Sequence, residues 1–397
     1  MNSKLDFLVQ PEVRQFIREN VQTDTNKLIL NPPSGFKPNI KQIVAQIQAR
    51  QKATGKLDIW ASNFGLVMPP PLSIEQASSQ TTCDYKKQLI SGHHLIDLTG
   101  GMGIDCLTLS ESFDCTTYVE QQTELCEVFQ HNLKMLGKEI EIENKEAGNY
   151  LKNLNPSPEN RVIYLDPARR DSSKNRVFRI EDCSPNIVEL MPWLKRHAHK
   201  VLIKFSPILD IQSILNAVPH VSEVHIVSVK NDCKEILIVA DFAFKGEPEI
   251  TCVNLESTHP PFSFKFQDEA RAKVLYGEPS SYLFESNSSI MKAGAFKSIS
   301  VNFDFKKIGE STHLYTSEKL MRDFPGRTFE IIEEASKKNI SAYASKGKIN
   351  VITRNYPLPA TELKKKWKLK DGGDYYLLAF RDVNYKPKTL IAKRLDL

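Results

Sequence analysis

The sequence predicts an α/β protein built on a Rossmann-like, doubly wound sheet of seven strands, with a helical region before it and small α+β domains after it. Three observations carry that expectation. Between residues 73 and 244, apolar strand-like runs alternate with helical stretches, as crossover helices on a parallel sheet require. The first run, LID at 95–97, passes straight into the glycine turn LTGGMGI and then a helical stretch. The last two runs, VHIVS and EILIVADF, are separated only by VKNDCK at 229–234, too short for a parallel crossover, so they form an antiparallel hairpin.

Taken in order, residues 1–72 form a helical N-terminal region: PEVRQFIRENV and NIKQIVAQIQARQK have helical periodicity, and the stiff PPPL at 69–72 ends it. Residues 73–244 contain the five parallel strands LIDLT, TTYVE, EIEIE, RVIYLD and KVLIKFS before the hairpin. Residues 245–324 mix short strands with one helix, FQDEARAKVLYG, and read as a small α+β domain of ferredoxin-like kind. Residues 325–397 give a β-α-β mixture through FEIIEEASKKN, KINVITRN, ATELKKKWKL, DYYLLAFRD and TLIAKRL.

Charge separates these regions further. From Gly326 onward there are 16 Lys and Arg against 8 Asp and Glu, a local excess of 8 in a chain of net charge +5, which leaves the first 325 residues near −3. A basic module on a nearly neutral body suggests a polyanionic partner. With 41% hydrophobic and 25% charged residues, the composition is that of a globular domain. No apolar run approaches the roughly 20 residues that span a bilayer, so no membrane partner is expected. The start, MNSKLDFLVQPEVRQ, lacks the apolar core of a signal peptide. The seven cysteines (83, 106, 115, 126, 183, 233 and 252) fall singly, without zinc-finger spacing, and read as reduced thiols of a cytoplasmic protein that holds no metal.

The glycine turn lies where ligands bind such sheets, at the carboxyl edge, and Gly100, Gly101 and Gly103 let backbone approach a ligand closely. Thr99 stands beside them. A pyrophosphate would be repelled by Asp97 at the strand end and Asp105 in the first helical turn. S-adenosyl-L-methionine carries no phosphate but an ammonium and a sulfonium, and a charge-assisted bond from Asp97 to that ammonium is worth about 1.5 to 3 kcal/mol. Glu120, followed by Gln121, ends the second strand where an acid accepts bonds from ribose hydroxyls; equally it caps the next helix. Glu146 or Ala147, after the third strand, should flank the adenine.

The fourth strand ends in RVIYLDPARRD, which puts Asp166 at the same edge with its backbone fixed by Pro167, and Arg169 and Arg170 next to it. Lys204, from LIKFSP, reaches that edge too, either for catalysis or as a structural partner of Asp166. Gln80, Thr81 and Tyr85 lie on the helix before the first strand, where related folds close over cofactor and base; Tyr85 fits core packing equally well. In the tail, Lys364, Lys365, Lys366 and Trp367 sit in one cluster with Tyr343, a pattern of cations for phosphates and rings for unpaired bases. Each lysine alone also fits a solvated helix face.

Together SSQTTCDYKKQLI, DLTGGMGID, DPARRD, LIKFSPILDI and VHIVSVKNDCKE resemble the class I S-adenosylmethionine-dependent methyltransferases that carry a THUMP-like C-terminal domain. The resemblance runs from about residue 73 onward and implies RNA as substrate, tRNA or rRNA, with a base nitrogen as acceptor. Amino-methylating relatives place Asp or Asn, two prolines and an aromatic residue at the fourth strand. Asp166 and Pro167 match that pattern, while Ala168 and Arg169 depart from it. Methyl transfer to a nitrogen needs alignment, which Asp166 supplies by accepting from the amine and offsetting the developing positive charge. Attack on a pyrimidine carbon would need a cysteine, for which Cys183 is the candidate. Two other readings are a non-catalytic RNA-binding adaptor on the same fold and a methyltransferase acting on a protein or small molecule.

Overall fold

The computed structural model describes residues 3–169 and 179–396. The chain divides into two compact units, Met1–Ser222 with Leu237–Gly246, and Glu223–Ile236 with Glu247–Leu397. In the first unit, β1 (Gly92–Asp97), β2 (Phe113–Val119), β3 (Glu141–Glu143), β4 (Arg161–Leu165) and β5 (Lys200–Phe205) pair in parallel in the order 3-2-1-4-5. The hairpin strands β6 (Val221–Val229) and β7 (Asp232–Asp241) extend the order to 3-2-1-4-5-7-6. Their connection is a two-residue turn in which Lys230 and Asn231 both have positive φ, 50° and 65°, the type I′ geometry that matches strand twist.

The strands flanking the centre are apolar without alternation, since helices cover both faces. Val162, Ile163, Tyr164 and Leu165 of β4 and Val201, Leu202 and Ile203 of β5 are all buried. Local signals end the helices: Gly137, at φ 63°, closes helix Thr123–Leu136, and Lys138 N–H reaches back to the Leu133 carbonyl at 3.0 Å. Ser79 opens helix Gln80–Lys87 with a capping box to Thr82.

The N-terminal helices share the core of this unit. Helix Ile40–Ala53 buries one face against Val13, Ile17 and Leu28, and its end packs with Trp60, Leu66, Met68, Ile74, Cys83 and Ile104. At that end stands Arg50, 2% exposed. Its Nη1 donates to the carbonyls of Trp60, Ala61 and Asn63 at 3.1, 3.1 and 3.0 Å, and Nη2 to that of Leu66 at 2.6 Å. Burial and the nearby Arg14 lower its pKa to about 10. A single guanidinium thus satisfies four carbonyls at the end of helix Asp58–Ser62 and in the turn that follows it.

In the second unit, β8 (Glu249–Leu255) pairs in parallel with Glu223–Val229 of β6, and β9 (Phe262–Phe264) pairs antiparallel with β8. A second sheet has eight strands, in the order 10-12-13-11-14-17-16-15. They are β10 (Leu275–Tyr276), β11 (Tyr282–Ser286), β12 (Lys306–Lys307), β13 (Tyr315–Ser317), β14 (Gly326–Glu334), β15 (Asn350–Arg354), β16 (Tyr375–Arg381) and β17 (Pro387–Leu395). Helix Ala360–Trp367 connects the parallel pair β15 and β16.

β8 and β9 lie beside β6, and β11 pairs antiparallel with β14, so residues on either side of 324 share one sheet. Alternation of apolar and polar residues marks a strand but does not choose its neighbour.

Arg50→Met should lower the stability of the protein by about 3 kcal/mol, because it leaves buried carbonyls without donors. Denaturant unfolding of the two proteins measures this, and equal midpoints and slopes would show that the guanidinium does not organise residues 60–66.

Candidate active site

β1 delivers Asp97 to the carboxyl edge, and the chain turns through residues 98–103 into helix Ile104–Leu109. Gly101 and Gly103 have φ of 52° and 75°, left-handed values that a side chain resists. A Cβ on Gly100 would lie 2.2 Å from Tyr118, and one on Gly103 would lie 2.0 Å from Phe129. These two rings stack, with centroids 4.1 Å apart. The glycines let the turn lie flat on that pair, so the protein's own packing requires them. The Tyr118 hydroxyl donates to the Gly101 carbonyl at 2.6 Å.

A cleft opens in front of the turn, lined by Asp97, Thr99 to Asp105, Tyr164 and Asp166 and walled by Ser73, Gln76, Ala77 and Ser78. Asp97 is 1% exposed and accepts the Thr99 N–H at 3.0 Å. Burial pushes its carboxyl up to about 8; the Thr99 bond opposes the rise, and Asp105, Asp166 and Glu120 add to it. Glu120, at the end of β2, is also buried. Its Oε2 accepts from Gly101 N–H at 3.0 Å and its Oε1 from Gln122 N–H at 2.8 Å, so in this ligand-free arrangement it braces the glycine turn.

At the far side of the cleft, Asp166 has its N–H held by Thr99 Oγ1 at 2.7 Å and its Oδ2 2.5 Å from Lys204 Nζ. The two residues predicted for this edge are thus an ion pair, and Pro167 is buried beside them. Asp105 points away from the turn's backbone, to Lys86 Nζ at 3.0 Å, and accepts from Ser78 Oγ at 2.8 Å, Tyr164 Oη at 3.0 Å and Cys83 Sγ at 3.2 Å. Burial by itself would raise Asp105, but the Lys86 and Lys204 ammoniums and the bonds from Lys86 and Cys83 hold its carboxyl well below the usual range. Asp105, expected among the cofactor-binding groups, lines the cleft and is there the counter-ion of Lys86.

Other expected residues are spread more widely. Gln121 is exposed; Glu146 caps helix Ala147–Asn153 by accepting Asn149 N–H, with Ala147 buried behind it. Gln80, Thr81 and Tyr85 are half-buried and do not line the cleft; Gln80 Nε2 donates to Asp84 at 2.9 Å. Cys183 is buried in a short ribbon opposite Arg169. Arg170 and the side chain of Arg169 lie outside the described residues. In the second unit, Lys365 and Lys366 are exposed and Lys364 pairs with Asp371 at 2.6 Å. Trp367 is half-buried and packs against the core cluster that contains Leu363 and Ile340. Sequence reading missed Ser78, Lys86 and Tyr164. The spacing of Cys83 and Lys86, three residues apart on one helix face, was the available signal.

Among the described residues, no helix is long and apolar enough to cross a membrane, and no group of three or more His, Cys, Asp or Glu is placed to hold a metal ion.

Residues 282–325 match a family described as a ferredoxin-like domain, and residues 326–394 one described as THUMP domain-like. A crystal structure from Porphyromonas gingivalis W83, described as a candidate methyltransferase, is 28% identical, with a TM-score of 0.85 over 98% of this chain and 99% of that one. A candidate class I S-adenosylmethionine-dependent methyltransferase from Listeria monocytogenes is 11% identical, with a TM-score of 0.37 over 62% of this chain and 94% of that one. No curated protein sequence matches the chain. The likeness read from the motifs, a class I methyltransferase fold ending in a THUMP-like domain, is borne out by the first of these structures and by the matched C-terminal family.

Asp97→Asn should stabilise the protein, increasingly so from pH 5 to pH 8. The Asp97 carboxyl titrates near 8 in the folded state against 3.8 as its ordinary value. The folded protein therefore binds the extra proton across that window, and the wild type loses up to about 1.4 kcal/mol per pH unit as pH rises, while Asn does not titrate. Thermal shift of both proteins across the range measures the difference; a constant difference would place the Asp97 titration elsewhere.

Proposed function

We propose that this chain, with its class I methyltransferase fold and THUMP-like end, is an S-adenosylmethionine-dependent methyltransferase acting on RNA, at a base nitrogen of tRNA or rRNA. The observation that carries the reading is the buried Asp97 behind the glycine turn. Asp97, Glu120, Asp105 and Asp166 cluster there against the two ammoniums of Lys86 and Lys204. That balance favours a cationic ligand and disfavours a pyrophosphate.

S-adenosylmethionine, when bound, supplies a methyl group already activated on a sulfonium. Asp97 holds the ammonium end, and Thr99 with Gly100, Gly101 and Gly103 presents backbone to the ligand. Glu120 takes the ribose hydroxyls on the lone pairs that its backbone donors leave, with Gln121, Glu146 and Ala147 toward the adenine. Asp166 accepts from the attacking amine and offsets the positive charge that grows on it, and Lys204 fixes the carboxylate in place. Arg169 and Arg170, which follow Asp166 by three and four positions in sequence, and Gln80, Thr81 and Tyr85, on the helix before β1, are the residues this reading assigns to the substrate.

The basic C-terminal module supports RNA as the partner, because Lys365 and Lys366 project from helix Ala360–Trp367 into solvent. Lys364 reaches a phosphate only by leaving Asp371, and Trp367 supports the helix from below.

Calorimetry should show S-adenosylmethionine binding that strengthens from pH 6 to pH 8, by up to about tenfold per unit, as the bound state demands an ionised Asp97. Asp166→Ala should keep that affinity within a few fold and lower turnover roughly a hundredfold. Nucleoside mass spectrometry of total RNA from cells with and without the gene should reveal one missing methylated nucleoside. No binding heat, or identical nucleoside profiles, would refute the cofactor or the substrate respectively.

A further inference from the structure

Lys86 has no part in the chemistry proposed above, yet its side chain is 0% exposed. Burying an ammonium costs several kcal/mol unless its partners offset the loss of water. Its partners include Asp105 Oδ1 at 3.0 Å and Ser78 Oγ at 2.8 Å. Asp105 also receives the hydroxyls of Ser78 and Tyr164 and the thiol of Cys83. Lys204 Nζ then stands 3.8 Å from Asp105 Oδ2 and 3.3 Å from Ser78 Oγ, but only 2.5 Å from Asp166 Oδ2. Charges alternate from the dry interior to the mouth of the cleft: Lys86, Asp105, Lys204, and Asp166 with its side chain 38% exposed.

The two unequal distances from Lys204 are informative. Asp105 is already saturated by one ammonium and three neutral donors, so it holds Lys204 loosely, and Lys204 closes on Asp166 instead. We infer that Lys86 is a positioning residue for the methyl-acceptor side of the cleft: by satisfying Asp105 it leaves Lys204 to pin the Asp166 carboxylate. The inference rests on the methyltransferase reading above. It gives the helix that precedes the first strand a task in the chemistry, although neither Lys86 nor Asp105 touches the reacting atoms. Asp166 is then fixed at two points, its N–H by Thr99 and its carboxylate by Lys204.

Lys86→Met removes the charge and keeps the bulk of the side chain. Asp105 must then draw on Lys204, and a displacement of about 1 Å at a positioning group is enough to cost up to about a hundredfold in rate. In the crystal structure of this variant, Lys204 should move toward Asp105 and away from Asp166. Turnover, read as labelled methyl incorporated into total RNA from cells lacking the gene, should fall about tenfold or more, with S-adenosylmethionine affinity within about threefold of wild type. The double variant K86M/D105N removes the demand along with the supply, so Lys204 should return to Asp166 and most of the turnover with it. A purely structural lysine gives the opposite order, with the double variant no better than the single one.

Lys204 unmoved in Lys86→Met, or a double variant no more active than the single, overturns the inference. Should Lys86→Met fail to fold, Ser78→Ala carries the test, since it withdraws the 2.8 Å contact from Lys86 and the 2.8 Å donor from Asp105. A few-fold loss of turnover at unchanged cofactor affinity then supports the inference, and wild-type turnover overturns it. Calorimetry on the wild type separates the two levels, because a protein that binds no S-adenosylmethionine overturns the reading on which the inference stands.

Discussion

Helix Ile104–Leu109 leaves the glycine turn with a carboxylate in its first turn, and that carboxylate, Asp105, is only 13% exposed. Burial of Asp105 requires compensation close at hand. It comes from three separate stretches of chain: Ser78, Cys83 and Lys86 from before the first strand, Tyr164 from β4 and Lys204 from β5. The helix preceding β1, the strand ends and the turn are held in mutual register by one anion. Loss of any donor leaves a charge that the interior tolerates poorly.

The same economy of polar groups appears elsewhere in the first unit. Arg50 closes the turn at 60–66 with a fork of donors, and Thr99 links Asp97 to the backbone of Asp166. The apolar framework beneath is simpler: β4 and β5 are buried on both faces, so any edge residue inherits a rigid base. Side chains at the carboxyl edge therefore owe their positions to strand ends rather than to mobile loops, which is the condition for aligning two reactants.

Glu120 shows how a residue can be in the expected place with a different partner. It stands at the end of β2, where a ribose-binding acid belongs, yet its oxygens accept from the backbone of Gly101 and Gln122. A carboxylate has room for further donors, so the bracing of the turn and the binding of a sugar are compatible demands on one group. Trp367 is the contrasting case. Its helix is amphipathic, and the half-buried ring packs against the core cluster that contains Leu363, while Lys365 and Lys366 stay in solvent.

The sequence by itself determined the succession of elements and which side chains stand along the carboxyl edge. Apolar runs of strand length, a glycine turn after the first and a connection too short for a crossover are local facts, and local geometry follows from them. Asp97, Glu120 and Asp166 were legible because strand ends can be read from periodicity. Only the tertiary structure decided what each of these groups faces. Asp105 pairs with Lys86 and Lys204, Lys86 is buried, and β8 and β11 pair with β6 and β14. The physical reason is common to all three. Burial, charge pairing and strand partnership are properties of residues distant in the chain, and the free energy of a charge or an open strand edge depends on what the fold brings to it.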